Sequence, residues 1–264
     1  NYIRNNISGK AKFKPFKNFT IGFTTRFTNT EVLGSGSNAI KDNGTSTESR
    51  LRNCVVYTPT TLLSKSDGSL EEEDETFGSL YDPLTTIRDN YKLKMDKKWN
   101  IQGYMSYKFA KHFTARVDLG YQSRHIATDR YYGPTTYFAR NTGRPGIEGG
   151  TAQLQVTDEY STVLTNHNTL EWKQTFENDH NVSVLVGEET VIRKGETKNQ
   201  YGFGYKGSYD VLNGEIFNYL GQAAYSEFTN YVDPRDNQLS FLARANYDYK
   251  GRYYITATFR ADCS

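Results

Sequence analysis

Hydrophobic and polar residues alternate one for one along much of this chain, and a period of two places successive side chains on opposite faces of a β-strand. In 113–121, Phe113, Ala115, Val117, Leu119 and Tyr121 form one face, while Thr114, Arg116, Asp118 and Gly120 form the other. The pattern returns at 239–249, where only Leu242 breaks the polar face, and at 253–261, where Tyr253, Ile255, Ala257, Phe259 and Ala261 oppose Thr256, Thr258 and Arg260. At 99–109, Trp99, Ile101, Met105, Tyr107 and Phe109 oppose Asn100, Gln102, Ser106 and Lys108. Segments 2–13, 19–29, 163–176 and 182–192 alternate more loosely. The pattern predicts an all-β chain of about eight strands.

The connections fall into two kinds that strictly alternate. Lys14-Pro15-Phe16-Lys17-Asn18, Ala110-Lys111-His112, Glu177-Asn178-Asp179-His180 and Lys250-Gly251 are hairpin-length and carry Pro, Asn, Asp and Gly. The segments near 31–92, 129–160 and 193–237 read as long polar loops. An antiparallel meander with this alternation has one tight end and one elaborated end, the anatomy of outer-membrane barrels. Phe13, Phe19, Phe109, Phe113, Tyr249 and Tyr253, at strand ends beside the short turns, would form one interfacial girdle of such a barrel. A soluble, exported β-sandwich binding glycan uses the same alternation with its apolar faces turned inward. Strand length beyond about 5–6 residues and three long loops favour the barrel.

Composition narrows the classes further. The 264 residues are 36% hydrophobic and 14% aromatic, with a formal charge of +2, too little apolar content for a conventional oily core and too many rings for a disordered chain. No run reaches the roughly 18 apolar residues of a membrane-spanning helix, which leaves a membrane barrel open. Near-neutral charge argues against nucleic acid as a partner. Cys54 and Cys263 are too far apart to suggest a metal site or a disulfide framework. The chain begins Asn1-Tyr2-Ile3-Arg4, without an initiator Met or a signal core, and reads as a mature or internal fragment.

Candidate chemistry is sparse. Gly202-Phe203-Gly204-Tyr205-Lys206-Gly207 matches the dinucleotide-binding glycine pattern, but no helical pattern follows to receive a pyrophosphate. The run Glu71 to Glu75 offers oxygen ligands for Ca²⁺, yet consecutive acids cannot all turn toward one ion, so a solvated surface is the better reading and no cofactor is expected. His112, His125, His167 and His180 stand singly, and no nucleophile or acid–base motif supports an enzyme. Tyr131, Tyr132, Tyr137, Phe138 and Tyr201, with Phe203 and Tyr205, offer ring faces in the long loops that suit sugar or peptide groups, weighed against packing of the loops on themselves. Arg116, Asp118, Arg244 and Asp248 lie at polar positions of the alternation, where they would wet a barrel lumen or pair as Arg116 with Asp118 and Arg244 with Asp248.

Three segments carry a family resemblance. LSFLARANYDYKGRYYITATFRADCS, from Leu239 to Ser264, resembles the strand, tight turn and strand that lead into an Arg-x-Asp-Gly-Ser run in SusC/RagA-type TonB-dependent outer-membrane transporters; Arg260, Asp262 and Ser264 match, with Cys263 in place of Gly. NTLEWKQTFENDHNVSVLVG, Asn168 to Gly187, resembles a hairpin of that family, and Asp82-Pro83-Leu84 resembles its Asn-Pro-Leu element. The resemblance implies that 1–264 is a central slice of a barrel of about 22 strands, with the plug domain and the remaining strands outside these residues. It further implies energy-coupled import of an oligosaccharide or peptide across the outer membrane of a Gram-negative bacterium. The implied partners are the lipid bilayer, a SusD-like lipoprotein over the mouth, and TonB-ExbB-ExbD acting through the plug.

Overall fold

A strand must satisfy its main-chain donors and acceptors on both sides, and in the computed structural model of this chain nearly every strand does so with its neighbours in sequence. The structure describes residues 1–34, 89–134, 136, 139, 144–177, 179–206, 215–234 and 236–263. Nine antiparallel strands form one sheet: β1 (Tyr2–Phe16), β2 (Phe19–Gly34), β3 (Asn90–Phe109), β4 (Phe113–Tyr132), β5 (Ala152–Phe176), β6 (His180–Tyr205), β7 (Tyr225–Val232), β8 (Asp236–Tyr249) and β9 (Tyr253–Cys263). A 3₁₀ segment, Glu215–Gln222, precedes β7.

The count of about eight strands holds in a specific sense. β7 pairs with Glu196–Phe203 of β6, and β8 pairs with His180–Arg193 of the same strand. They are consecutive stretches of one row, interrupted near Asp233 and Pro234, where the proline ring has no N–H to donate. Asp233 keeps the row attached by donating its N–H to Gly195 O at 2.9 Å. The Asp233 carboxylate lies where a β-carbon on residue 195 would have to go, so Gly195 makes room for it.

The strands run farther into the long connections than the alternation suggests. Residues 129–132 belong to β4, 152–160 to β5 and 193–205 to β6, all within segments that read as loops in the sequence. Strand pairing continues there while apolar alternation fades, because beyond a bilayer a strand keeps its hydrogen bonds without an apolar face. Gly202 and Gly204 accordingly lie in a strand end.

The register brings the apolar positions of all rows to a single face. Ile21 pairs with Met105 and Met105 with Val117; one row toward the short turns, Leu170 pairs with Val186 and Val186 with Ala243. In the interior of the sheet Leu119, Leu164 and Val186 stay 50%, 46% and 46% exposed, so the apolar faces do not meet in a dry core and the sandwich alternative fails. From Phe113 to Ser123 the apolar band spans eleven residues of β4, about 34 Å along the strand, or about 26 Å of height at a barrel tilt of about 40°. That matches the roughly 25 Å apolar band of outer-membrane barrels.

Aromatic rings edge the band at the short-turn end. Phe19 meets Tyr107 with centroids 6.2 Å apart, Tyr107 meets Phe109 at 6.0 Å, and Phe109 meets Phe113 at 5.6 Å. Trp172 and Phe176, His180 with Tyr249, and Tyr249 with Tyr253 continue the edge. At the other edge Phe27 packs on Trp99 at 4.6 Å. The short turns are tied to one another as well: Lys108 donates to Asn18 O, Lys173 to His112 O and Lys250 to Asp179 O, all at 2.8–2.9 Å. Ala110, Lys111, Glu177 and Lys250 take positive φ values of 46° to 60° to close these turns.

The two faces should respond oppositely to charge. Val117→Lys places an ammonium within the apolar band and is expected to cost about 2–4 kcal/mol near its middle, whereas Arg244→Gln on the polar face leaves assembly unchanged. Folding yield into bilayers, read by heat-dependent gel mobility, measures both; equal tolerance would reverse the assignment of faces.

Candidate functional site

The polar face is organised by arginine–carboxylate forks. Arg116 grips Asp118 two residues along β4 through Nε at 2.7 Å and a second nitrogen at 2.6 Å. Its guanidinium also lies 4.2 Å from the Tyr104 ring centroid, and that ring covers Gly22, where a β-carbon would collide with it. Arg124 holds Asp96 of β3 in the same two-pronged way, at 2.9 and 2.6 Å. Arg260 repeats the spacing of Arg116 and Asp118: it reaches Asp262 at 2.8 Å, Glu189 at 3.0 Å and the buried Ser240 hydroxyl at 3.2 Å. Such forks fix two planar groups against each other.

Arg244 and Asp248 share this face with Arg116 and Asp118 through the register, but they do not pair with each other. Asp248 instead accepts the N–H of Gly251 at 2.8 Å and the Asn181 amide at 3.3 Å, which locks the β8–β9 turn. The tight geometry of that turn claims the carboxylate before a distant arginine can. Beside it the polar face holds a groove of about 690 Å³ lined by Lys173, Asn181, Asn246, Asp248, Tyr254 and Thr256.

At the loop end the polar face becomes aromatic. Tyr132, Gln153, Phe203 and Tyr225 occupy one row across β4 to β7, and Arg130, Gln155, Tyr201 and Glu227 occupy the next. Tyr201 and Phe203 lie parallel within 14°, centroids 6.3 Å apart, and Phe203 meets Tyr225 at 6.0 Å. Arg130 stands 4.4 Å over the Tyr132 ring and Arg144 5.0 Å over that of Phe203, while Arg144 also binds Glu227 at 2.6 Å. Tyr132, Gln153 and Phe203 are buried, at 7%, 6% and 7% exposed, so the half-buried Tyr201 and the exposed Tyr225 are the rings of this patch open to a ligand that has apolar faces and hydrogen-bonding edges.

Tyr131, one residue from Tyr132, takes the opposite face. There Ala152, Leu154, Tyr205 and Ile216 form a small core, with Tyr131, Phe217, Leu220 and Ala223 packed around it. Gly204, at φ 78°, lets β6 bulge so that Tyr205 pairs with Ala152, joins this core and donates its hydroxyl to Leu220 O at 3.1 Å. Burial, aided by the charge of Asp89, pushes the Tyr131 hydroxyl up to about 12, and burial, with Asp158 nearby, raises the Asp129 carboxyl. Tyr131, Tyr132 and Tyr201 are therefore strand residues and not loop residues: Tyr131 packs under the 3₁₀ segment, and the other two line the polar face. Tyr137 and Phe138 lie outside the described residues, as do Cys54, the acidic run at Glu71–Glu75 and Asp82-Pro83-Leu84.

The histidines stay apart. His112 contacts Lys173 O at 3.0 Å, His125 contacts Asp158 at 2.7 Å while stacking on Tyr160, and His180 begins β6 against the Tyr247 hydroxyl at 2.7 Å. Among the described residues no three His, Cys, Asp or Glu side chains gather as metal ligands. The reading of the sequence passed over Arg130, Arg144, Gln153 and Glu227, and also the basic run Lys92, Lys94 and Lys98 of β3. The even spacing of that last run, two residues and then four, was a visible signal.

Two outcomes follow for the loop end. Ile216→Asp buries a carboxylate at a site with 0% exposure, so the 3₁₀ segment should detach and become cleavable under limited proteolysis while the membrane-protected core stays intact. Asp129 binds its proton more tightly in the folded state than in the unfolded state. Protonation therefore favours folding, and acidification toward the carboxylate range should increase hydrogen-exchange protection at the β4–β5 loop end. Asp129→Asn should raise that protection at neutral pH and abolish its pH dependence.

No family model matches the chain. Over its full length it is 27% identical to the TonB-dependent receptor P39 of Formosa agariphila, of which it covers 23%. The RagAB peptide transporter has the same fold over 98% of the chain, with a TM-score of 0.67 and 16% identity. The RagAB peptide importer in its open-open state gives 0.67 and in its closed-closed state 0.65. The chain spans about a quarter of the length of these relatives.

Proposed function

We propose that this chain, a barrel segment of the SusC/RagA type, forms part of the wall of an outer-membrane importer of nutrients, either oligosaccharide or peptide, that works with a SusD-like lipoprotein and is driven by TonB-ExbB-ExbD. The observation that carries this reading is the division of the sheet by face. A band about 26 Å high is apolar on one side and edged with rings, and the other side is polar and built of fixed ion pairs. In this role the apolar face meets lipid and the polar face lines the path of the substrate.

The work of the named residues follows from their placement. Tyr201 and Tyr225, with Arg144 and Glu227, receive a ligand where the lumen opens at the loop end, backed by the buried Tyr132 and Phe203 rings. The forks at Arg116, Arg124 and Arg260 keep the wall rigid and hydrated below. The short turns carry too little surface for recognition, so ligand and lipoprotein both belong to the loop end. Energy enters through the plug, which is the element TonB would act on.

The experiment uses cells carrying the full-length protein with Tyr201→Ala and Phe203→Ala combined. Uptake of the oligosaccharide or peptide that supports growth should fall at least about tenfold, the loss expected for two stacking side chains, with unchanged protein in the outer membrane. Release of the wild-type protein from membranes by carbonate without detergent would end this reading.

A further inference from the structure

We infer that the polar face of β1–β4 is a track for a polyanion, and that the substrate is a linear oligosaccharide bearing carboxylate or sulfate groups. The inference rests on the import reading and names its substrate class. The observation is a ladder of cations on a chain whose overall charge is only +2. From the row of Asp118 toward the loop end, successive rows of the polar face carry Lys12, Lys10, Arg26, Lys98, Arg4 and Lys94, the row of Lys98 also holding Arg124. None of these six has an ion-pair partner among the described residues, because Asp96 and Asp118, the carboxylates among them, are held by Arg124 and Arg116. Beyond Lys94 the next row adds Lys92 and Arg130 and brings the ladder to the ring faces at the mouth.

Rows are about 6.8 Å apart along a strand, two residues of about 3.4 Å each, so the cations descend one row at a time from the mouth, within a strip three strands wide. A wall of one sign focuses its field into the space it faces and concentrates counter-ions there. The asymmetry is local: β5, β6 and β9 mix Glu159, Glu171, Glu189 and Asp262 with their basic residues on the same face.

Two features favour a saccharide over an acidic peptide. β2, β3 and β4 have their main chains paired on both sides, so an extended peptide finds no ladder to join there. At the same mouth, across β4 and β5 from the track, the Tyr201 and Tyr225 rings stand open with Gln155 and Asn199 near them, groups that suit the faces and hydroxyls of sugar rings.

The test is titration of the full-length protein, purified from outer membranes in detergent, with hexagalacturonate, a sulfated galactan hexamer, maltohexaose and hexaglutamate. One or both anionic sugars should bind at least about tenfold more tightly than maltohexaose, and the preference should shrink as salt screens it; which of the two wins identifies the anionic group. Arg26→Gln combined with Lys98→Gln should weaken the anionic sugar about tenfold, whereas Lys97→Gln, on the apolar face, should leave it unchanged. Hexaglutamate binding as tightly as the sugars, maltohexaose binding as tightly as the anions, or an unaffected double variant would each overturn the inference. If maltohexaose binds and Tyr201→Ala abolishes that binding, import stands and the anionic track falls. If no charged probe binds, the track falls, and the import reading is judged by uptake in the Tyr201→Ala, Phe203→Ala cells alone.

Discussion

Every feature of this sheet depends on main-chain hydrogen bonding where water is absent. In hydrocarbon an unpaired N–H or C=O costs several kcal/mol, so strands can cross only if each is paired on both sides along its whole passage. The antiparallel registers of β2 through β6, uninterrupted across the apolar band, meet that demand. The register in turn fixes which side chains share a face, since a slip of one residue would turn every apolar side chain to the wrong side.

Because the apolar side chains are committed outward, the other face has no oily core and must gain its order from polar contacts. Two-pronged arginine–carboxylate pairs are suited to this, for they orient both partners and stay hydrated. Exposed pairs of this kind contribute little to stability, and their value lies in keeping the wall in one conformation. Asn168 and Glu188 are an exception in placement: both fall on the apolar face, where they hydrogen-bond each other at 2.9 Å and so limit the cost of their position.

Much of this was legible in the alternation. Strand positions, hairpin turns, the opposed faces and the ring edge formed by Phe19, Phe109, Phe113, Tyr249 and Tyr253 all follow from period-two patterning and turn residues. The strand ends were not legible, because the pattern reports the solvent on each side and not the backbone. Above the band both sides are wet, so residues such as Glu31, Asp158 and Lys198 continue a strand while reading as loop. The opposite directions of Tyr131 and Tyr132 become visible only once that strand is known to continue, and the Gly204 bulge that moves Tyr205 left no pattern at all. The cation ladder was hidden by summation: its charges come from three strands and cancel against acids elsewhere in a total of +2.

The interruption at Asp233 and Pro234 divides the row beside β6 at the level of Glu196, which shares its row with Tyr160 and His125 just above the Trp99 edge of the band. A β-ladder transmits opening from one bonded pair to the next, as a zipper does. Here the zipper has a stop. The β7 and β8 stretches meet at the Asp233 N–H to Gly195 O bond, each with its own register on β6. The stave beside β6 is thereby two ladders, β7 above and β8 below, joined end to end.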